Sequence, residues 1–309
     1  MSESPDPFVV ERARPWGLAY RMLGSRADAD DVVQDAWLRW NGADQTGVAN
    51  PAAWLTTVAS RLAVDRLRVR SRERQRYVGP WLPEPVLTGE PLVGSEDPTE
   101  LADSLSIGFL AMLERLEPIE RVVFLLSDVF DEPFRDIANV VDRSEAACRQ
   151  IASRARRRVR DERRIRTFRP SRSEADRLVE AFCLASVTGD LDGLSALLDA
   201  GVVLVSDGGA HAHAARRPVV GRPRVIRLIT NLTKRMAPRL TGVRLAQING
   251  EPGVILDGAH GPIVALAFDV GTAIENIYAI VNQRRYSTIC SARWDASGAN
   301  RRQRAAESR

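Results

Sequence analysis

The chain has 309 residues, 44% of them hydrophobic, with 44 Lys and Arg against 40 Asp and Glu for a formal net charge of +4. This length allows two or three domains with real cores. No apolar run approaches the length of a membrane span, and Met1 to Pro7 is acidic and proline-rich rather than signal-like, so a soluble cytoplasmic protein without a membrane partner is expected. Cys148, Cys183 and Cys290 lie far apart with no Cys-x-x-Cys pair, which argues against a zinc site and a disulfide framework.

Phe8 to about Tyr77 reads as helical. One helix is expected over Phe8 to Leu23, ending at Gly24. Ser25-Arg26-Ala27-Asp28 matches a capping box and opens a second helix through Trp40. Within it Val32, Val33, Ala36, Trp37 and Trp40 can pack inward. Asp31, Gln34 and Asp35 fall on one outer face at i, i+3 and i+4. A carboxylate–amide patch of this kind suits a basic partner helix; the plainer alternative is ordinary surface charge.

A polar loop, Asn41 to Asn50, precedes a third helix running from Ala52 into Arg70. Trp54 stands at its start, Arg61 lies mid-helix, and Arg66, Arg68, Arg70, Arg72, Arg74 and Arg76 make its C-terminal half basic, with Asp65 beside them. Arginines beside an aromatic suit single-stranded DNA, whose phosphates are neutralised while a base stacks. Trp54 can equally be core.

Gly79 to Pro98 is rich in proline and reads as a partly extended linker. Its Trp81 and Leu82 are unexpectedly apolar and would prefer a surface to dock on. Helices are then expected over Leu101 to Leu116 and Pro118 to Asp128. Pro133 to Arg164 reads as two helices joined by Val141-Asp142-Arg143. Pro133 suits a first helical position, and Phe134, Ile137, Ala138 and Val141 form an apolar stripe. Ser144 is an N-cap with Glu145 in the first turn. Ala147, Ile151 and Ala155 face inward; Arg149, Gln150, Ser153, Arg154, Arg157 and Arg158 face out. Arg and Gln read base edges and phosphates, so this helix-turn-helix points to DNA. A helical hairpin with a solvated face is the alternative.

After a polar linker, Glu174 to Thr188 is an amphipathic helix and Leu191 to Leu198 a short one. Strands are expected at 202–206, 243–248, 254–256, 263–270 and 274–281, with a helix from Arg222 to Met236 and a hairpin turn at Asn249-Gly250. This region is α+β. His211, His213 and His260 all lie in it, with Asp207. Gly208 to Arg217 is small and polar, so these histidines read as loop residues; Asp207 with His211 and His213 is the one candidate set for a general base or metal, and neither a catalytic residue, a cofactor nor a metal is assigned.

The order of these segments resembles a bacterial extracytoplasmic-function sigma factor, a family of RNA polymerase subunits that retains only regions 2 and 4. Asp31-Val32-Val33-Gln34-Asp35 resembles the region 2 pattern; Leu116-Glu117-Pro118-Ile119-Glu120-Arg121 and Phe134-Arg135-Asp136-Ile137-Ala138 resemble region 4. The resemblance implies that Asp31, Gln34 and Asp35 bind core RNA polymerase. It implies that Trp54, Arg61, Asp65, Arg66 and Arg68 serve the promoter −10 element as single strand, and that Arg149, Gln150, Ser153, Arg154 and Arg157 serve the −35 duplex. Trp81-Leu82-Pro83-Glu84-Pro85 resembles the linker signature of the sigma-J-like group, which carries a C-terminal SnoaL-like domain. Asp207-Gly208-Gly209 resembles the start of that domain's Asp-Gly-Gly-Gly-Lys motif, departing at Ala210-His211, and Asn282-Gln283-Arg284-Arg285-Tyr286 departs from its late Asn-Pro-Asp-Lys-Leu motif.

The expected fold is therefore multidomain: two all-α sigma domains (8–78 and 99–166) around a linker (79–98), an α+β SnoaL-like domain (174–292) and a tail (293–309). Trp81, Leu82, Pro83, Glu84 and Pro85 would meet Asp207, Gly208 and Gly209 in a regulatory contact, and the SnoaL-like fold implies a pocket for a small-molecule ligand. The expected function is promoter recognition and transcription initiation. A helix-turn-helix regulator fused to a SnoaL-like enzyme or ligand-binding domain is the alternative, from which the acidic patch at Asp31 to Asp35 separates it.

Overall fold

The structure is a computed structural model that describes residues 7–74, 77, 79–88, 104–162, 170–209 and 214–281. It divides into two compact units. The first comprises Met1–Tyr77 with Pro91–Arg166, and the second Val78–Glu90 with Thr167–Arg309.

The described helices of the first unit are α1 (Pro7–Glu11), α2 (Ala13–Leu23), α3 (Arg26–Asn41), α4 (Pro51–Arg74), α5 (Ile107–Leu113), α6 (Pro118–Asp128), α7 (Phe134–Val141) and α8 (Glu145–Glu162). The single opening helix expected from Phe8 is broken at Arg12, whose αR backbone caps α2. Gly24 ends α2 in the left-handed region at φ 63°, its N–H returning to the Tyr20 carbonyl. The Ser25 side chain accepts the Asp28 N–H to open α3. Helix α5 is shorter than expected because its cap is Ser106, whose hydroxyl accepts the Phe109 N–H; residues 101–103 lie outside the described set.

Val33, Trp40 and Leu55 form a core with Phe8, against which Trp16, Val48 and Trp54 pack. Trp37 departs from the expected inward set: it is 41% exposed, and Leu38 is 55% exposed. Among the described residues, two arginines are buried in this unit. Arg121 donates to the Met22 carbonyl at 2.6 Å and faces Glu114 at 3.1 Å. Arg21 donates to the Ser104 hydroxyl at 2.7 Å. Loss of hydration lowers their pKa values to about 9 and about 10 respectively.

The second unit is α+β. Helices α9 (Arg172–Thr188) and α10 (Leu191–Leu197) lead into β1 (Leu198–Asp207); β2 (Val219–Val220) and α11 (Arg222–Met236) follow, then β3 (Leu240–Ile248), β4 (Glu251–Gly258), β5 (Gly261–Val270) and β6 (Ile274–Ile280). The strand order is β2-β1-β6-β5-β4-β3. Strands β1 and β6 pair in parallel and the other neighbours antiparallel. Asn249 and Gly250 turn β3 into β4 with φ of 54° and 77°, the conformation that an Asn-Gly hairpin supplies.

One face of the sheet, with Val202, Leu204, Val254, Phe268 and Ile277, packs on Val179 and Phe182 of α9, Leu194 of α10 and Val225 and Ile229 of α11. On the other face Ile248, Ile255, Ala265, Ala267 and Ile280 are also fully buried. The extended segment 79–88, read from sequence as a partly extended linker whose apolar residues dock on a surface, belongs to this second unit. The Leu82 N–H donates to Asp207 Oδ2 at 2.9 Å. The Val86 N–H donates to Asn249 Oδ1 at 2.8 Å, and the Asn249 N–H returns to the Val86 carbonyl at 2.8 Å. Asp207 lines up across the sheet with Ile280, Ala265, Ile255 and Arg244 in turn, at the middle of β3, while Asn249 lies just beyond the C-terminal end of β3. The segment is thus a strap that crosses obliquely over the face left open by the helices. Pro83 and Pro85 carry no N–H, so the strap presents amides only at alternate positions here, and two of these, Leu82 and Val86, are the anchors.

Candidate nucleic-acid interface

The helix-turn-helix forms as α7–turn–α8. Pro133 serves as the N-cap rather than the first helical residue, its carbonyl accepting the Asp136 and Ile137 N–H groups. Asp142 makes the turn at φ 54°. The Ser144 hydroxyl accepts the Ala147 N–H at 3.2 Å and opens α8. Cys148, Ile151, Ala152, Ala155 and Val159 are buried. Small residues at 152 and 155 let α8 approach its neighbours closely, while Arg149, Gln150, Ser153, Arg154 and Arg157 are all exposed. Arg149 is held at both ends of its reach: its guanidinium pairs with Glu145 at 2.6 Å and stands 5.4 Å from the centre of the Phe134 ring. Burial, followed by the nearby Glu145 charge, pushes the Cys148 thiol pKa up.

On α3, Asp31 and Gln34 are exposed and Asp35 half-buried. Exposed Leu38 extends the same face by one turn. The patch has an internal counter-ion that sequence reading missed. Arg66 of α4 pairs with Asp31 at 3.2 Å and with Asp35 at 2.7 Å, and its side chain is only 28% exposed. The signal was the coexistence of an acidic and a basic helix, but which arginine faces which carboxylate depends on the crossing of α3 and α4.

The remaining members of the α4 series divide. Arg61 is exposed and donates to the Asn139 carbonyl at 2.6 Å. Asp65 and Arg68 are exposed and pair with each other at 3.2 Å. Trp54 is half-buried and meets Trp40 edge-on at 5.4 Å between ring centres. It also lines a cleft of about 590 Å³ with Asp44, Asn50, Thr57, Asp136 and Asn139. The structure therefore brings both Trp54, through the cleft, and Arg61, through its hydrogen bond, to Asn139, and ties Arg66 to the acidic patch.

Residues 10–73 match the Sigma-70 region 2 family and residues 107–159 the Sigma-70 region 4 family. The chain is 41% identical over 255 residues to the ECF RNA polymerase sigma factor SigJ of Mycobacterium tuberculosis, an alignment covering 82% of this chain and 81% of that protein. The chain is an ECF RNA polymerase sigma factor. A probable ECF sigma factor SigI of the same species is 34% identical over 282 residues, covering 88% of this sigma factor and 91% of SigI. The crystal structure of SigJ aligns with a TM-score of 0.71 at 36% identity, over 90% of this sigma factor and 96% of that chain. As an ECF sigma factor it binds core RNA polymerase and promoter DNA. Among the described residues, no helix is long and apolar enough to cross a membrane.

In the second unit, Trp81 is half-buried, whereas Leu82, Pro83, Glu84 and Pro85 are buried in the strap. Asp207 is fully buried. Its Oδ2 receives Leu82 and its Oδ1 receives the Gly209 N–H at 3.1 Å. Gly208 is buried between them, and Gly209 takes φ 59°. His260 is exposed in the β4–β5 turn. His211, His213 and the segment Asn282 to Tyr286 lie outside the described residues, as do Cys290 and the 293–309 tail. Sequence reading gives Asn249 of the strap anchor only as a turn residue; nothing local shows that its side chain holds Val86.

Proposed function

We propose that α8 reads the −35 duplex through Arg149, Gln150, Ser153, Arg154 and Arg157. The observation that carries this is the exposure of all five on one face of a helix whose other face is buried in the helix-turn-helix. Asp31, Gln34 and Asp35, extended by Leu38, form the face offered to core polymerase. Arg66 fixes the two carboxylates of that face, and Trp54, Arg61, Asp65 and Arg68 remain for the −10 strand. Binding of single-residue variants of α8 to a set of −35 sequences tests the first assignment: a flat profile for every variant would remove α8 from base reading.

The α+β domain is assigned a regulatory role without covalent chemistry. Asp207, the base candidate with the most suggestive neighbours in sequence, accepts the backbone amides of Leu82 and Gly209, which supports a structural role for it. The stretch of chain joining regions 2 and 4 includes the strap, so gripping or releasing the strap changes the length free between them. Any ligand that altered the grip would alter activity.

A further inference from the structure

Residues 208–250 contain nine Arg and Lys and no Asp or Glu. In a chain with nearly balanced charge, this concentrates positive potential on one part of the α+β domain. Helix α11 displays it. Val225 and Ile229 are buried against the sheet. Arg224, Arg227, Lys234 and Arg235 are exposed, with exposed Asn231 between them. Their spacing places them within an arc of about 100° and along roughly 16 Å of helix. Arg239 continues the stripe in the turn that follows α11, and Arg216 and Arg217 are exposed just before β2. Among the described residues none of these cations reaches a carboxylate; the domain's Arg244–Asp257 pair, at 2.6 Å, lies on β3 and β4.

We propose that α11 is a second DNA-binding surface of this sigma factor, which neutralises phosphates of duplex promoter DNA without reading sequence. A row of unpaired cations separated by small polar residues matches a phosphate backbone. The helix has no aromatic side chain on which an unpaired base could stack. Its apolar face is spent on the domain core, so it cannot lie in a bilayer surface on that face. The domain is covalently joined to a promoter-binding protein, and the join raises its effective concentration at DNA that α8 has engaged.

The test is salt-dependent binding of the full chain with core polymerase to duplex promoter fragments. The variant carries Arg224→Gln, Arg227→Gln, Lys234→Gln and Arg235→Gln, all at exposed positions. Four lost phosphate contacts should flatten the slope of log affinity against log salt by about 3.6, so that between 50 and 200 mM salt the parent loses roughly 150-fold more affinity than the variant. Discrimination between correct and scrambled −35 sequences should not change. A second variant, with Arg224→Lys, Arg227→Lys and Arg235→Lys, should keep the parental slope. An unchanged slope in the Gln variant overturns the proposal, as does loss in the charge-preserving variant. So does a Gln variant that binds DNA normally but has lost binding to vesicles containing anionic phospholipid.

Discussion

Replacing Asp207 by asparagine changes few atoms and should release one end of the strap. Among the described residues, Asp207 Oδ2 accepts the Leu82 N–H at 2.9 Å and Oδ1 the Gly209 N–H at 3.1 Å, in a site with no solvent exposure. An amide has one accepting oxygen. Whichever way the substituted side chain turns, its NH2 meets one of the two N–H donors, so one bond is lost and a buried donor is left unmatched. A hydrogen bond to a charged acceptor is worth about 1.5–3 kcal/mol, and the stranded donor adds to its loss. The Gly209 bond closes a short local turn, so the longer-range Leu82 bond is the one expected to yield. The other anchor, Val86 and Thr88 on Asn249, Gln247 and Gly250, is untouched. In the full chain, hydrogen exchange at the Leu82 amide should therefore accelerate by roughly 13- to 160-fold, with Val86 and Thr88 changing far less. Unchanged exchange at Leu82 would refute the strap's dependence on Asp207. Equal acceleration at all three amides would show that the domain, not the strap, had opened.

Reversing charge with Asp31→Arg and Asp35→Arg should weaken capture of core polymerase by at least about tenfold, while the helical circular dichroism stays at the parental level; unaltered pull-down would remove the acidic face from the interface. Arg149→Ala and Arg154→Ala should separate on a panel of −35 variants. Loss of a base contact costs about 1–3 kcal/mol at one position, whereas loss of a phosphate contact weakens all sequences alike. Cys183 is the pH prediction. Burial, then the Glu180 charge, raises its pKa to about 11, so in a Cys290→Ser background alkylation at pH 8 should run on the order of 100-fold slower than for a free thiol, rising as pH approaches 11. Rapid modification at pH 8 would mean that the thiol is not held in the α9 interface.

The elements most legible in the sequence were those whose determinants are local. Gly24, Ser25 and Ser144 mark helix ends through their own backbone or side chain, and Asn249-Gly250 fixes its turn through two positive φ values. The exposed face of α8 followed from helical spacing alone. What escaped was set by pairings distant in the chain. Pro83 and Pro85 announce an extended segment; its meeting with Asp207 was expected only from the family resemblance, and the hold of Asn249 on Val86 was not read at all. Trp37 looked buried by periodicity, yet the core of the first unit is completed by Trp40, Leu55 and Phe8, leaving Trp37 outside. Arg66 looked like a DNA ligand because it belongs to a basic series; its pairing with Asp31 and Asp35 is set by the crossing of α3 and α4, which no local pattern shows. Beta strands ran longer than the apolar pattern because polar and small residues such as Asp199, Gly201 and Gly258 sit within the strands.

The central claim is that this sigma factor initiates at its promoters under control of its own α+β domain. Run-off transcription with purified core polymerase, on promoters chosen by genome-wide binding, tests it when the full chain is compared with one ending at Arg172. The account predicts a discrete promoter-dependent transcript from the full chain and a clear change in its yield after truncation, because the strap has lost Asp207 and Asn249. Equal yields from the two proteins would contradict it.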